Sequence, residues 1–534
     1  MAAPAPDCTR PALSGSLSHC VKSEIHNVLT VMRLSDTRAR EGELYADFRS
    51  LLDELHGSPD LVDAEAIVEP FLTLVATSGA EEVADVALTS VHKFLLYGLI
   101  SSTSINASEA VNLIVATLTR LDERRFWSEL ATMRVLETLL ATLRSPAGHL
   151  LTNRSVWEFW CTAQQLSLPA RGHSALLMRS AETSLVALVL TVYARLPLCV
   201  ESAWEEWEPD DGANGAAAAA ATAAAAVADD DGEPASHGVL LPPPPPPPPP
   251  SAHSARRPDA DDAQRGEATE MLYGVPCMYW LLGGLAQLVD PAWSLASARS
   301  QQLGLRLINT ALEAGGSAFS AAPPLVLVIQ ESVCKHLLHA AHTADSLLLS
   351  LALRAVFNLF CTVREHLKVQ LEVFFNSMHL KLLNAHTLKH GGGEGGRGGV
   401  QAGAAEISGG GGALSVRGAA TVEQQQLTVE SLVEFCREPE LLVDLYVNYD
   451  CDVGCSNLYE NLVLLLAGAA IPADLPGRTG GGGGVKTGGG AAALLQPLCF
   501  EGVVAILDSL ARLCAGGAAD EFDGMDGGES SLDG

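Results

Sequence analysis

Apolar residues recur along most of the chain with helical spacing. Val21, Ile25, Val28, Leu29 and Met32 fall at i, i+4, i+7, i+8 and i+11, and Leu44, Phe48, Leu51, Leu52 and Leu55 follow a similar rhythm. Each set places its apolar side chains on one face of an amphipathic helix. Val83, Val86, Ala87, Val91, Phe94 and Leu95 mark another, and the same pattern predicts helices near 109–121, 126–144, 153–167 and 174–195. Pro70 stands where a helix could restart, since proline suits a first helical position. Strict alternation, the mark of a half-buried strand, is nowhere long enough to predict one. Helices resume at about 269 and run to about 387, then cover 421–447, 456–470 and about 493–514.

The interruptions divide the chain. Residues 1–16 read as a loose tail and 17–200 as a first helical domain. Residues 201–268 break the periodicity with acidic clusters, an alanine run and nine consecutive prolines, Pro242–Pro250. Nine prolines favour a polyproline II rod of roughly 28 Å at ~3.1 Å per residue, so this stretch reads as a disordered spacer. A second helical domain spans 269–515, with Gly-rich inserts at 391–420 and 476–490, and an acidic tail fills 516–534. Short helices joined by short loops predict an all-α fold, an armadillo/HEAT-like helical solenoid in two lobes.

Composition sharpens this picture. Hydrophobic residues make up 48% and aromatics 5% of the 534 residues, a Leu/Ala/Val mix suited to helix-on-helix packing. Net charge is −30. About 15 acidic residues against 3 Arg fall in 201–270, and about 6 against none in the last 19 residues, so much of the charge lies outside the helical regions. An acidic chain lacks the basic surface that nucleic acid requires, and nucleic acid is not an expected partner. The 12 Cys follow no framework spacing, and Cys161, Cys334, Cys361 and Cys436 sit inside apolar runs, as buried reduced cysteines do. No signal-peptide pattern opens the chain, and no apolar run reaches the ~18–20 residues of a bilayer span. A cytosolic location is the expectation.

One stretch stands apart. Residues 446–463, YVNYDCDVGCSNLYENLV, gather Asp, Cys, Tyr and Asn into a Leu- and Ala-rich background. Asp450-x-Asp452-x-Gly454 opens like a calcium loop, but Asn461 stands where the bidentate Glu is needed and the Gly comes one place early. Cys451-x3-Cys455 has no second ligand pair at zinc spacing. Elsewhere, Gly480–Thr487 approaches a phosphate loop, yet Val485 replaces the Gly before Lys486 and no strand precedes it. No catalytic, metal or cofactor site is assigned. The bland reading fits better: a helix starting at Pro439 ends near Tyr446, the next is N-capped by Ser456 or Asn457 with Glu460 in a capping-box relation, and Tyr449 and Cys451 pack inward. Asp450 and Asp452 precede a helix N-terminus, which favours negative charge.

The same stretch resembles the box of the "homology upstream of Sec7" (HUS) domain of large Arf guanine nucleotide exchange factors. ALTSVHKFLLYGLI (87–100), SPAGHLLTNRSVWE (145–158) and SAETSLVALVLTVYARLP (180–197) resemble the family's dimerisation and cyclophilin-binding (DCB) domain. YGVPC (273–277) and REHLKVQLEVF (364–374) resemble parts of its HUS region. The details look closer to the Golgi brefeldin-A-resistant/GNOM/Gea branch. The family's Sec7 domain carries a glutamate finger in a motif like F-R-x-P-G-E, and no such motif occurs here, so the chain is not expected to be an enzyme. The resemblance implies a regulatory, dimerising and membrane-recruiting module of a Golgi Arf exchange factor in vesicle transport. The alternative is a free-standing scaffold without a Sec7 domain. The implied partners are a second copy through the DCB lobe, an internal DCB–HUS contact, Arf- and Rab-family GTPase machinery indirectly, and the Golgi membrane, met peripherally from the cytosol. Asn448, Tyr449, Asp450, Cys451 and Asp452 are implied to hold the DCB–HUS contact. Lys93 and Glu129, charges among apolar neighbours, are implied to serve dimerisation.

Overall fold

The computed structural model describes residues 14–35, 42–57, 63–121, 128–168, 172–201, 272–293, 295–380, 383, 421–471 and 489–523. Apart from Glu201, the predicted spacer lies outside them, as do the insert at 391–420, most of 476–490, the first 13 residues and the last 11. The described residues are helical, with two isolated bridges and no strand among them. The all-α solenoid expectation holds. Contacts divide the chain into two units, Met1–Gln287 with Glu313–Val328, and Leu288–Leu312 with Ile329–Gly534.

In the first unit, α1 (Ser14–Leu34) and α2 (Gly42–Gly57) precede α3 (Ala64–Thr77), α4 (Glu81–Leu96), α5 (Ala107–Thr119), α6 (Glu129–Arg144), α7 (Asn153–Ser167), α8 (Ala175–Tyr193) and the short α9 (Leu196–Glu201). From α3 onward each helix packs on the next but one: α3 on α5 and α5 on α7, α4 on α6 and α6 on α8. Such alternation builds the two layers of a solenoid. The predicted apolar faces are the core. Val21, Ile25, Val28 and Met32 are fully buried, as are Val83, Ala87, Val91 and Phe94. Phe48, Phe71 and Phe94 stack edge to face at 4.9 and 5.2 Å. Pro70 does not restart a helix. It lies inside α3, whose start is set by Asp63, with an Oδ accepting from the Glu65 N–H at 2.9 Å.

Two sequence motifs meet within this unit. The start of α10 (Val275–Val289) is capped by Asn153, whose Oδ1 accepts from the N–H groups of Gly274 (3.1 Å) and Cys277 (3.2 Å). The Tyr193 hydroxyl donates to the Met278 carbonyl at 2.7 Å. Buried Trp160 lies so close to Gly284 that a Cβ there would sit 3.1 Å from the indole nitrogen.

The second unit contains most of α11 (Ala298–Gly315). After the short α12 (Pro323–Val328), the chain continues through α13 (Cys334–Ala340), α14 (Ser346–Val363), α15 (Lys368–Phe374), α16 (Val422–Arg437), α17 (Pro439–Leu445), α18 (Leu458–Ala470) and α19 (Gly489–Asp523). The last helix is longer than its apolar pattern predicts. α16 packs against α14 and α19, and α18 against α19. His379 stacks on Phe375 and meets Phe435 edge to face, while Phe360 packs on both of those rings; the imidazole is buried and hydrogen-bonded through Nε2 to Ser431 Oγ at 3.1 Å. Burial pushes this imidazole down to about 4. Two helices, α8 and the stretch Ser346–His366, are long and apolar enough to cross a membrane by length and composition, which the reading by unbroken runs overlooked. Both contribute core residues: Leu185, Leu188 and Val192 in α8, and Leu349, Val356 and Leu359 in α14, are all fully buried.

Candidate functional site: a braced helical corner

The site is the turn between α17 and α18. Pro439 occupies the first position of α17, where its missing N–H costs nothing. The helix does not stop at Leu445. It widens into a π turn over Tyr446–Asp450, closed by the Cys451 N–H donating to the Tyr446 carbonyl five residues back at 3.0 Å. The extra residue changes which side chains face the protein. Tyr449 turns inward and is buried, and Asp450 points towards the start of α18.

Asp450 is the true cap of α18. Its Oδ1 accepts from the Tyr459 N–H and its Oδ2 from the Glu460 N–H, each at 2.9 Å. These are two of the N–H groups a helix start leaves without partners, and a carboxylate there also meets the positive end of the helix dipole. Asn457 occupies the N-cap position but makes no capping bond, and its amide donates to the Glu460 carboxylate at 2.7 Å. The expected Ser456 or Asn457 cap is therefore corrected. A carboxylate from across the turn reaches the amides first, and Ser456 is engaged elsewhere.

The opposing surface comes from 364–376. Arg364, Lys368, Glu372 and Asn376 recur every four residues and so form one polar stripe. Arg364 Nε pairs with Asp444 at 2.5 Å, and Lys368 Nζ with Asp452 Oδ2 at 2.6 Å. Glu372 Oε1 accepts from both the N–H and the hydroxyl of Ser456, at 2.7 and 2.6 Å, and Asn376 donates to Ser456 Oγ at 3.1 Å. The Tyr449 hydroxyl donates to the Lys368 carbonyl at 3.1 Å. Burial raises the Tyr449 phenol, so it stays protonated and serves as a donor. The hydrogen bond from Lys368, with a second from the Gly454 N–H at 2.9 Å, holds the Asp452 carboxyl below its ordinary range. The Asp452–Cys455 turn closes through a 3.1 Å backbone bond.

Of the five box residues, the structure joins Tyr449, Asp450 and Asp452 to this brace. Asn448 and Cys451 are exposed, so the expectation that Cys451 packs inward is corrected. The π turn rotates it outward. Cys361 is likewise exposed, despite its apolar neighbours. The sequence reading missed the partners Lys368, Glu372 and Asn376, although it singled out the segment that holds them. Their four-residue spacing was the available signal.

Lys93 and Glu129 lie in the first unit and do not meet each other's partners. Lys93 Nζ pairs with the largely buried Glu24 at 2.7 Å, and Ser90 Oγ donates to the other Glu24 oxygen at 2.9 Å. Glu129, the first residue of α6, accepts from the N–H of Ser174, the N-cap of α8, at 3.0 Å. Glu81, the first residue of α4, does the same for Ser128, the N-cap of α6, at 3.0 Å. Each helix of this layer thus holds the start of the next.

Residues 274–458 match the Mon2/Sec7/BIG1-like HUS domain. Over those residues the chain is similar to that HUS domain. The match runs from the YGVPC motif to the first residue of α18, so the brace lies at its C-terminal end. The chain is 26% identical over 88% of its length to the ARF guanine-nucleotide exchange factor GNL1 of Arabidopsis thaliana, covering 33% of that protein. It is 25% identical over 99% of its length to GNOM of the same plant, covering 35% of it. It is 23% identical over 85% of its length to the Golgi-specific brefeldin A-resistance guanine nucleotide exchange factor 1 homolog of Caenorhabditis elegans, covering 26% of it. The chain spans between about a quarter and about a third of the length of these curated relatives.

Proposed function

We propose that this chain is a regulatory, non-catalytic module of a Golgi Arf guanine nucleotide exchange factor acting in vesicle transport. The observation that carries the reading is that the corner's acids are already committed. Asp450 is spent on the start of α18, and Asp452 on Lys368 and the turn. Such an arrangement fixes a shape, and a fixed shape is what a partner surface can grip. On this reading the HUS domain works through contacts: with the DCB-like region of residues 17–200, with a second copy through that region, and, reversibly, with the Golgi membrane. The similarity to Arf exchange factors over most of the chain supports it. The test is nucleotide release. The purified chain should not accelerate loss of a fluorescent guanine nucleotide from an Arf GTPase, and acceleration would remove the non-catalytic reading.

A further inference from the structure

Helix α19 is apolar on two sides. Cys499, Gly502, Ile506 and Ser509 are buried, and this inner face meets α16 and α18. Ser509 Oγ donates to the Cys436 carbonyl at 2.8 Å, and a Cβ on Gly502 would lie 3.0 Å from Leu466. On the other side Pro497, Phe500, Val504, Leu507, Ala511 and Cys514 recur at alternating steps of three and four residues, and all six are exposed. Phe500 is 59%, Val504 48% and Leu507 62% exposed. At 3.6 residues per turn this stripe lies roughly opposite the buried face and runs for about 27 Å. A helix apolar all round belongs in an interior, and a contiguous apolar stripe on a surface marks an interaction site.

The three-four spacing is the seam of a two-stranded coiled coil, with Pro497, Val504 and Ala511 at a positions and Phe500, Leu507 and Cys514 at d positions. In an antiparallel pair, an a residue of one helix shares a layer with a d residue of the other. Pairing the stripe with itself about a twofold axis between Ala505 and Ile506 sets Phe500 against Ala511 and Val504 against Leu507, with Pro497 against Cys514 at each end. Each inner layer then joins a larger side chain to a smaller one, which fills the seam evenly. A parallel pair would set Phe500 on Phe500 and Ala511 on Ala511, crowding one layer and hollowing another. The edges also suit a like partner. Half-buried Val503 and partly exposed Leu510 extend the apolar face on one side. On the other, Glu501 is answered by Arg437 and Asp508 by Arg512, so two copies bring no unpaired acids together there. We infer that the outer face of α19 is a self-association surface that pairs antiparallel with the same face of a second copy. It is distinct from the contact proposed for residues 17–200, and it lies beyond the span matched to the HUS domain.

Sedimentation velocity of the full chain over a dilution series tests it. The wild type should self-associate. Leu507→Lys and Val504→Glu should each weaken that association about tenfold or more, the scale of a central interface residue. Both positions lie on the surface, and circular dichroism checks that each variant folds. Mixing the two variants should restore association, because the antiparallel register puts their opposite charges in one layer. If residues 17–200 also pair, the wild type grows beyond a dimer and Leu507→Lys stops at one, which separates the two contacts. A wild type that stays monomeric throughout would overturn the proposal. So would association unchanged in both variants, or a mixture that associates no more tightly than either variant alone.

Discussion

Asp450→Ala probes the corner most sharply. The substitution removes an acceptor that serves two backbone N–H groups at once, those of Tyr459 and Glu460. Loss of a capping side chain costs ~0.5–2 kcal/mol, and loss of a negative charge at a helix start adds ~0.3–1 kcal/mol. Asp450 is partly exposed, so water recovers some of this, and the expected total is about 2 kcal/mol. Asp450→Asn keeps one acceptor and loses the charge, and should cost roughly half as much. For a folding unit of ~150–250 residues, 2 kcal/mol corresponds to about 4–8 °C in Tm. Denaturant unfolding followed by the circular dichroism of the full chain gives the free energy. Hydrogen exchange locates it, with lost protection confined to the first turn of α18. A change below about 0.5 kcal/mol, a typical surface effect, would refute the capping argument. Equal loss in Asn and Ala would refute its electrostatic part.

Four further outcomes follow from the same physics. Ser456→Ala removes the hydroxyl, and with it one hydrogen bond to the Glu372 carboxylate and one accepted from Asn376, and should destabilise the second unit by about 1–2 kcal/mol in denaturant titrations; the Ser456 N–H bond to Glu372 remains, so a larger loss would point to a different cause. Gly304→Ala would place a Cβ 2.8 Å from Val289 Cγ2 and 2.9 Å from Leu288 Cβ, and this overpacking, ~1–3 kcal/mol, should outweigh the ~1 kcal/mol gain in helix propensity, lowering Tm instead of raising it. His379 is neutral in the fold with a pKa of about 4, below its unfolded value near 6.5, so the unfolded chain binds more protons between those values and stability should fall as pH drops from 6.5 towards 4, by about 3 kcal/mol in all; His379→Phe should remove that slope from the pH dependence of unfolding. Lys93→Met leaves the largely buried Glu24 with only the Ser90 hydroxyl, so it should cost about 1–2 kcal/mol in a strictly monomeric sample; no loss there would leave Lys93 free for a partner.

The fold was legible where burial follows a helical period. Helices α4 to α8 appear within two or three residues of their predicted places, because their apolar faces are their cores. The misreadings share another cause: tertiary bonds that local rules cannot see. Pro70 looked like a helix start, yet Asp63 fixes the start seven residues earlier. Ser456 and Asn457 looked like caps, yet Asp450 takes the amides because the π turn aims it there. Cys451 looked inward-facing until the extra residue of that turn rotated it out. Asp452 and Tyr449 were picked out by residue type, but their shared partner Lys368 lies 84 and 81 positions away, and Glu372 lies 84 positions from its partner Ser456; both carry only a spacing signal. The relay of Glu81 and Glu129 onto the following helix starts was missed because each acid looks locally like an ordinary first-turn charge.

The central claim is that the 446–457 corner is one mechanical piece with the 364–376 stripe. Hydrogen exchange on the full chain, comparing the wild type with Glu372→Ala, tests it most directly. The account predicts slow exchange at Ser456, Tyr459 and Glu460 in the wild type, and a gain of deuterium at all three in the variant. Corner amides that exchange in the wild type as fast as an untethered loop, or that do not respond to Glu372→Ala, would contradict it.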